Sequence, residues 1–169
     1  NVGRGIYDTL LEFRAALSRC DAILLEYIGC EATDLLYPDV TNRFSFDEAA
    51  AMIQDTQYAQ PVLVAFEYCL ANVWISKGAQ PQGVLGHSLG EYAAAVIAGV
   101  MSIEDSLFLV CERGRLIKAS PLSYGCMVAL RATASEIYSA IEHAGTENEV
   151  ALAGWNAKRS VVLSGSEIG

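Results

Sequence analysis

Residues 84–92 read Val-Leu-Gly-His-Ser-Leu-Gly-Glu-Tyr, which sets a G-x-S-x-G pentapeptide at 86–90 between an apolar run and an alanine-rich helical one. Such a pattern describes a nucleophile elbow: a tight strand-to-helix turn that lifts the serine Oγ clear of a sheet and aims the following backbone N–H groups at the same space. Glycines two residues before and after Ser88 avoid clashes within the turn, and the serine itself is held in strained backbone geometry. Chance produces some G-x-S-x-G in about one chain in twenty of this length, so context has to carry the reading. Residues 82–87 look like a short buried strand after a turn at Pro81, and residues 92–100 form an unbroken apolar helix without strand alternation.

At 169 residues the chain can enclose a sizeable core, and 53% hydrophobic residues with a mean hydropathy of +0.30 is rich even for an enzyme interior. No uncharged stretch is long enough to span a bilayer, and the N-terminus carries no cationic and apolar leader, which reads as a soluble, cytoplasmic chain. Five cysteines, Cys20, Cys30, Cys69, Cys111 and Cys126, form no C-x-x-C pair and fit reduced, buried thiols. With His87 and His143 as the only histidines, and neither near a cysteine cluster, no metal site is expected. A net charge of −9 without a lysine or arginine run makes nucleic acid a poor partner. Recognition of an acidic partner would have to use local basic patches or a covalent tether that raises effective concentration.

Most of the chain reads as helix. Ile6, Leu10, Phe13 and Leu17 lie close to helical spacing within residues 4–19, and a second apolar stripe follows over 21–28. Ser45 with Glu48 and Thr133 with Glu136 are capping-box signatures that open two helices; Ser102 with Asp105 is a weaker one, opening a helix that runs to about Lys118. Residues 61–75 are apolar nearly all the way round and predict a helix buried on most faces, beside the elbow. From Gly125 the texture changes: 126–130 strand, 134–143 helix, 150–155 strand and 160–163 strand, the opening of a ferredoxin-like split unit.

Several of these stretches together resemble one family. Gln60-Pro61-Val62-Leu63 through Trp74, then Gly86-His87-Ser88-Leu89-Gly90-Glu91-Tyr92, Ala98-Gly99-Val100, Glu112-Arg113-Gly114-Arg115 and Val161-Val162-Leu163-Ser164-Gly165 are similar, in that order, to the acyltransferase domain of type I polyketide synthases. That family is akin to the malonyl-CoA:acyl carrier protein transacylases of fatty acid synthesis. The resemblance runs over essentially the whole chain, with residues 1–21 similar to the family's first helix. It implies an α/β fold: an α/β-hydrolase-like large subdomain, residues 1–123, and the start of a ferredoxin-like small subdomain, residues 124–169, both incomplete. The family's glutamine-containing turn on its first strand would precede Asn1, and its catalytic histidine would follow Gly169, so the chain is expected to be a fragment and inactive alone.

The same resemblance implies the chemistry. Ser88 would attack an acyl-CoA thioester, and the phosphopantetheine thiol of an acyl carrier protein would take the acyl group from the serine. The Leu89 backbone N–H would be an oxyanion-hole donor at a helix N-terminus. Arg113 would hold the free carboxylate of a malonyl-type substrate, a task that suits the rigid guanidinium fork; a solvated helix arginine, like Lys118, is the plainer alternative, and Arg115 is read as surface. Gln60 would lie near the pocket and orient substrate or elbow through its amide, or else simply start a helix before Pro61. His87 would line the pocket. Neither His87, whose side chain points away from that of its neighbour, nor His143, at the end of a capped helix, suits the role of base to Ser88. Leu89 sits where the family tends to have a small aliphatic residue in malonyl-selective domains and glutamine in many methylmalonyl-selective ones, which favours malonyl. No cofactor is expected; the partners implied are malonyl-CoA or a related acyl-CoA, the carrier protein and neighbouring domains of a multidomain synthase, with no membrane. Two other classes share the elbow. A serine hydrolase or thioesterase would need an acid and a histidine later in the chain and has no use for Arg113, and a non-catalytic remnant would keep the motifs by descent.

Overall fold

The helical spacing over residues 4–28 becomes two helices of unequal length in the computed structural model, which describes residues 2–120 and 125–166. Helix α1 (Arg4–Thr9) ends at Leu10, which is extended at φ −109° and ψ 109°, and α2 (Leu11–Ile28) then runs unbroken. The break thus falls at Leu10 rather than near residue 20. No proline or glycine causes it. Arg14 reaches back from α2 and donates through Nη1 to the Tyr7 and Asp8 carbonyls at 2.7 and 2.9 Å, which satisfies the open end of α1. On α2, Phe13, Leu17, Cys20, Asp21 and Leu24 recur at helical spacing and are buried.

Three short helices follow: α3 (Ala32–Leu36), α4 (Pro38–Thr41) and α5 (Phe46–Gln54). The Ser45–Glu48 capping box forms as read, with the Glu48 N–H donating to Ser45 Oγ at 3.2 Å and the Ser45 N–H to Glu48 Oε2 at 2.8 Å. A second box, Glu31 with Asp34, opens α3 with an acid where serine or threonine usually stands. Asp34 is buried, and its Oδ2 is held by Arg43 Nη1 at 2.8 Å and the Glu31 N–H at 2.9 Å.

The long helix α6 (Thr56–Ser76) contains Pro61, which removes one N–H from its ladder. It starts at Thr56, so Gln60 lies within its second turn and is not its first residue. Its burial is also one-sided: Val62, Ala65, Cys69 and Val73 face the core, whereas Leu63, Trp74 and Ile75 are exposed. After the elbow come α7 (Gly90–Ile97), shorter than residues 92–100 suggested, and α8 (Ile103–Ala119). Ser102 Oγ accepts from the Asp105 N–H at 3.0 Å and starts α8. Ile103, Ser106, Leu107, Val110, Cys111 and Gly114 make its buried face. Helices α2, α6 and α8 enclose one core with Tyr37, Phe13 and Leu107 wholly inside it. The chain divides into two units, residues 1–119 and 120–169; the boundary expected at 123/124 lies outside the described residues.

The second unit consists of β1 (Gly125–Leu130), α9 (Ala134–Ala144), β2 (Val150–Ala157) and β3 (Ser160–Ser166). Its sheet order is β1-β3-β2, with β3 antiparallel to both neighbours, from Gly125↔Ser166 to Leu130↔Val161 on one side and Val150↔Gly165 to Ala157↔Ser160 on the other. Placing β3 between the two strands that α9 connects is the split arrangement that the strand order predicted. The Thr133–Glu136 capping box opens α9. Among the described hydrophobic residues of this unit, Ile137 and Val161 are buried, while Met127, Val128 and Trp155 are exposed. Four of the five cysteines are buried, as read, but Cys126 is exposed on β1, an outer strand of a thin sheet. Burial raises the thiol pKa of Cys30 to about 11 and of Cys111 to about 12.

Asp21 is a buried carboxyl of the first unit. Burial raises its pKa from 3.8 to about 6, against the opposing hydrogen bonds from Thr33 Oγ1 at 2.6 Å and the Thr33 N–H at 3.1 Å. Between those pH values the folded chain retains a proton that the unfolded chain has released, so this group's stabilisation is full below pH 4 and is lost as the pH rises through 6. Asp21→Asn keeps the shape without the titration. We predict that urea denaturation of wild type and Asp21→Asn diverges by about 1 to 3 kcal/mol between pH 4 and pH 7, wild type losing the more; a constant difference would refute the assignment.

Candidate active site

Backbone geometry identifies the elbow. Ser88 has φ +54°, in the left-handed region that serine adopts only at a cost, and among the described residues shares a positive φ outside glycine with Asn42 alone. The turn is closed by the Gly90 N–H donating to the His87 carbonyl at 3.0 Å, the Glu91 N–H to Ser88 at 3.2 Å and the Tyr92 N–H to Leu89 at 3.1 Å. These bonds begin at Gly90, which leaves the Leu89 N–H outside the turn's own ladder, at the positive end of α7. Ser88 and His87 are exposed, and Leu89 is half-buried against the helical core.

The two flanking glycines have different reasons. A Cβ on Gly86 would run into the backbone of Gly90 and Glu91, which cannot yield. A Cβ on Gly90 would meet only Glu67 Oε2, at an ordinary 3.9 Å. The expectation that both are sterically required therefore holds for Gly86 alone. Residues 82–87, read as a buried strand, enter the elbow without a sheet ladder, and Leu85 is 99% exposed. A strand forms only where a neighbour accepts and donates its backbone bonds, and the described part of this unit offers none.

Gln60 and Arg113, far apart in sequence, are brought together. Gln60 is buried on α6; its Oε1 accepts from Arg113 Nη1 of α8, and its Nε2 donates to Thr56 Oγ1 one turn earlier. This contact decides against a freely solvated Arg113. Arg115, two residues on, instead pairs with Glu112 at 2.8 Å on the surface, as read. Gly114 explains why the helices can approach: a Cβ there would lie 2.9 Å from the Thr56 carbonyl oxygen and 3.0 Å from Gln57 Cα. Lys118 adds an ion pair of 2.5 Å with Asp55, the N-cap of α6, and holds its carboxyl below the usual range.

Glu67 was not apparent from sequence, where it is one charge in an apolar helix. It lies seven residues after Gln60, about 10 Å along the same face of α6, and lines the same cleft as Gly90, where a Cβ would come 3.9 Å from its Oε2. Its Oε2 is buried and finds no hydrogen-bond partner among the described residues, and burial raises its pKa. Thr56 and Gly114 also carry no motif signal of their own beyond flanking Gln60 and Arg113. A cleft of about 580 Å³ adjoins α6 and α7, lined by Trp74, Ile75, Val84, Leu85, Ala93 and Ile97 among others, but by neither Ser88 nor Arg113. It is an apolar packing face. His143 is exposed in the last turn of α9, at the negative helix end. No three His, Cys, Asp or Glu side chains cluster to hold a metal among the described residues, and no described helix is long and apolar enough to cross a membrane.

A serine at positive φ at the head of a helix, flanked by Gly86 and Gly90, is the turn geometry of a nucleophile elbow, and a buried glutamine holds an arginine on the adjoining helices. Residues 2–168 match the family model described as the acyl transferase domain, and the chain belongs to that family. It is 37% identical over 164 residues to the PKS-NRPS hybrid synthetase ATPKS of Aspergillus niger, covering 97% of this chain and 8% of that protein. Among solved structures it resembles the acyl transferase domain of ZmaA, with a TM-score of 0.86 at 32% identity, over 99% of this chain and 38% of that one. The acyl transferase domain of SpnD, solved with a 2-(pent-4-yn-1-yl)malonyl group, gives a TM-score of 0.81 at 29% identity, over 99% and 36% of the two chains. The chain thus spans a small fraction of its synthase relatives and less than two-fifths of these two solved domains.

Because Gly86 abuts backbone and Gly90 does not, their alanine variants separate. Gly86→Ala is expected to destabilise the fold by about 2 to 3 kcal/mol, and Gly90→Ala by less than about 1 kcal/mol. Thermal unfolding of both variants checks this, and equal losses would show that the turn is not the constraint.

Proposed function

We propose that this segment carries the nucleophile and the carboxylate-binding arginine of an acyltransferase that moves a malonyl-type unit from coenzyme A to the phosphopantetheine thiol of an acyl carrier protein within a multidomain synthase. The observation that carries the reading is the presence, in one unit, of a strained Ser88 at the head of α7 and an Arg113 held by buried Gln60. A hydrolase needs the first and has no use for the second. The malonyl group in the SpnD domain, and the synthase relatives, support the same substrate class.

In the first half-reaction Ser88 Oγ bonds to the thioester carbonyl carbon, its proton passes to a general base, and the C–S bond breaks so that coenzyme A leaves as its thiol with that proton. In the second half the carrier's thiol gives its proton to the base as its sulfur attacks the acyl-serine carbonyl, and the base passes that proton to Ser88 Oγ as the ester C–O bond breaks. The Leu89 N–H, outside the turn's ladder at a helix N-terminus, donates to the oxyanion in both halves; such a donor contributes about 3 kcal/mol. Arg113 binds the malonyl carboxylate, and Leu89, in place of glutamine, favours malonyl over methylmalonyl. His87 lines the pocket. Neither His87, directly adjacent to the nucleophile, nor His143, in the last turn of α9, suits the role of base, and the resemblance implies a histidine outside these residues.

Three outcomes are expected. In the domain extended to the length of its relatives, malonyl-CoA labels the peptide 86–91 and Ser88→Ala abolishes the label in intact-mass analysis; label on a cysteine peptide would overturn the assignment. Arg113→Ala weakens malonyl transfer by about 1.5 to 3 kcal/mol, with acetyl-CoA affected less, and equal losses would make Arg113 structural. Residues 1–169 alone show no catalytic transfer to a carrier protein beside the extended domain. The exposed Leu85, Val84 and Trp74 around the apolar cleft should make that shorter chain poorly soluble or dye-binding.

A further inference from the structure

The contact between Gln60 and Arg113 depends on a third residue. A glutamine amide has two ends of nearly equal shape and opposite polarity, and a guanidinium, with donors only, can be met by the oxygen end alone. Turning Oε1 toward Arg113 aims the Nε2 group back along α6, inside the protein, where its partner is Thr56 Oγ1. Gln60 is only 6% exposed, so water is a poor substitute for that hydroxyl. Residues 56 and 60 stack one turn apart on the same helix face, which brings the two side chains into register.

Thr56 is itself fixed against α8. Its carbonyl abuts Gly114, the residue after Arg113, and its neighbour Asp55 accepts the Gln57 N–H at 2.9 Å and pairs with Lys118, one turn beyond Gly114. The guanidinium on α8 is therefore located by a chain of contacts that leaves α8 through Arg113 and returns to it through Thr56 and Gly114. We propose that Thr56 is a positioning residue for substrate selection: its hydroxyl accepts from the buried Gln60 Nε2 group while Oε1 meets Arg113, which keeps the amide where it presents Arg113 to an acyl-CoA carboxylate. The inference rests on the carboxylate-binding reading of Arg113 given above.

Without the hydroxyl, the buried Nε2 group loses its partner, the amide gains by turning away, and Arg113 is released. The test is the ratio of kcat/KM for malonyl-CoA to that for acetyl-CoA in the domain extended to the length of its relatives. Thr56→Val is expected to lower this ratio about tenfold, chiefly through KM for malonyl-CoA, and Thr56→Ser to restore it to within about twofold. Thr56→Ala, which places no branched side chain at the first helical position, should reproduce the loss if the valine variant folds poorly. In an Arg113→Ala background, Thr56→Val should change the ratio no further. A ratio unmoved by Thr56→Val and Thr56→Ala while Arg113→Ala lowers it would overturn the role of Thr56 and leave that of Arg113 intact. An Arg113→Ala variant with an unchanged ratio would overturn the carboxylate reading itself, and this inference with it.

Discussion

The close crossing of α6 and α8 at Gly114 is the constraint on which the site depends. Only a residue without a Cβ lets α8 approach the Thr56 carbonyl, and that approach sets the Gln60 amide against Arg113 and Asp55 against Lys118. Helix α6 then acts as a ruler. Gln60 stands at one point along it and Glu67 about 10 Å on along the same face. Gln60 is satisfied there by Thr56 and Arg113, whereas Glu67 Oε2 is buried without a hydrogen-bond partner among the described residues.

The elbow adds a second constraint of a different kind. Ser88 is strained in its backbone, and the strain is held by three turn hydrogen bonds and by the contact of Gly86 with the backbone after the serine. Such strain persists only where the surroundings over-determine it. Here α7 packs on both α6 and α8, so the turn that presents Ser88 and the crossing that presents Arg113 share one helical support. The reaction proposed above depends on this, because the roles proposed for Ser88 and Arg113 require that neither moves relative to the other.

Local chemistry determined a large part of the chain. The boxes at Ser45 and Thr133, the cap at Ser102, the stripe through Phe13 and Leu17, and the order β-α-β-β after Gly125 all follow from neighbours within a few residues, and the structure has them. So does the elbow, because its glycine and its serine are contiguous. The structure departs from the sequence pattern where no motif marks the partner. Arg14 closes the end of α1 from the next helix, Asp55 caps α6 ahead of Pro61 and accepts Lys118 from α8, and residues 82–87 lack a neighbouring strand.

Sequence by itself therefore determined which residue is strained and exposed, since a turn is specified by the residues that make it. Tertiary structure alone decided what holds Arg113. On one helix it is a cation among others, no different in pattern from Arg115. The two are separated only by what stands opposite them: Glu112 on the same helix for one, and for the other a buried glutamine 53 positions away. Contacts across that span depend on how closely two helices can approach, and the deciding atom is the side-chain carbon that Gly114 lacks.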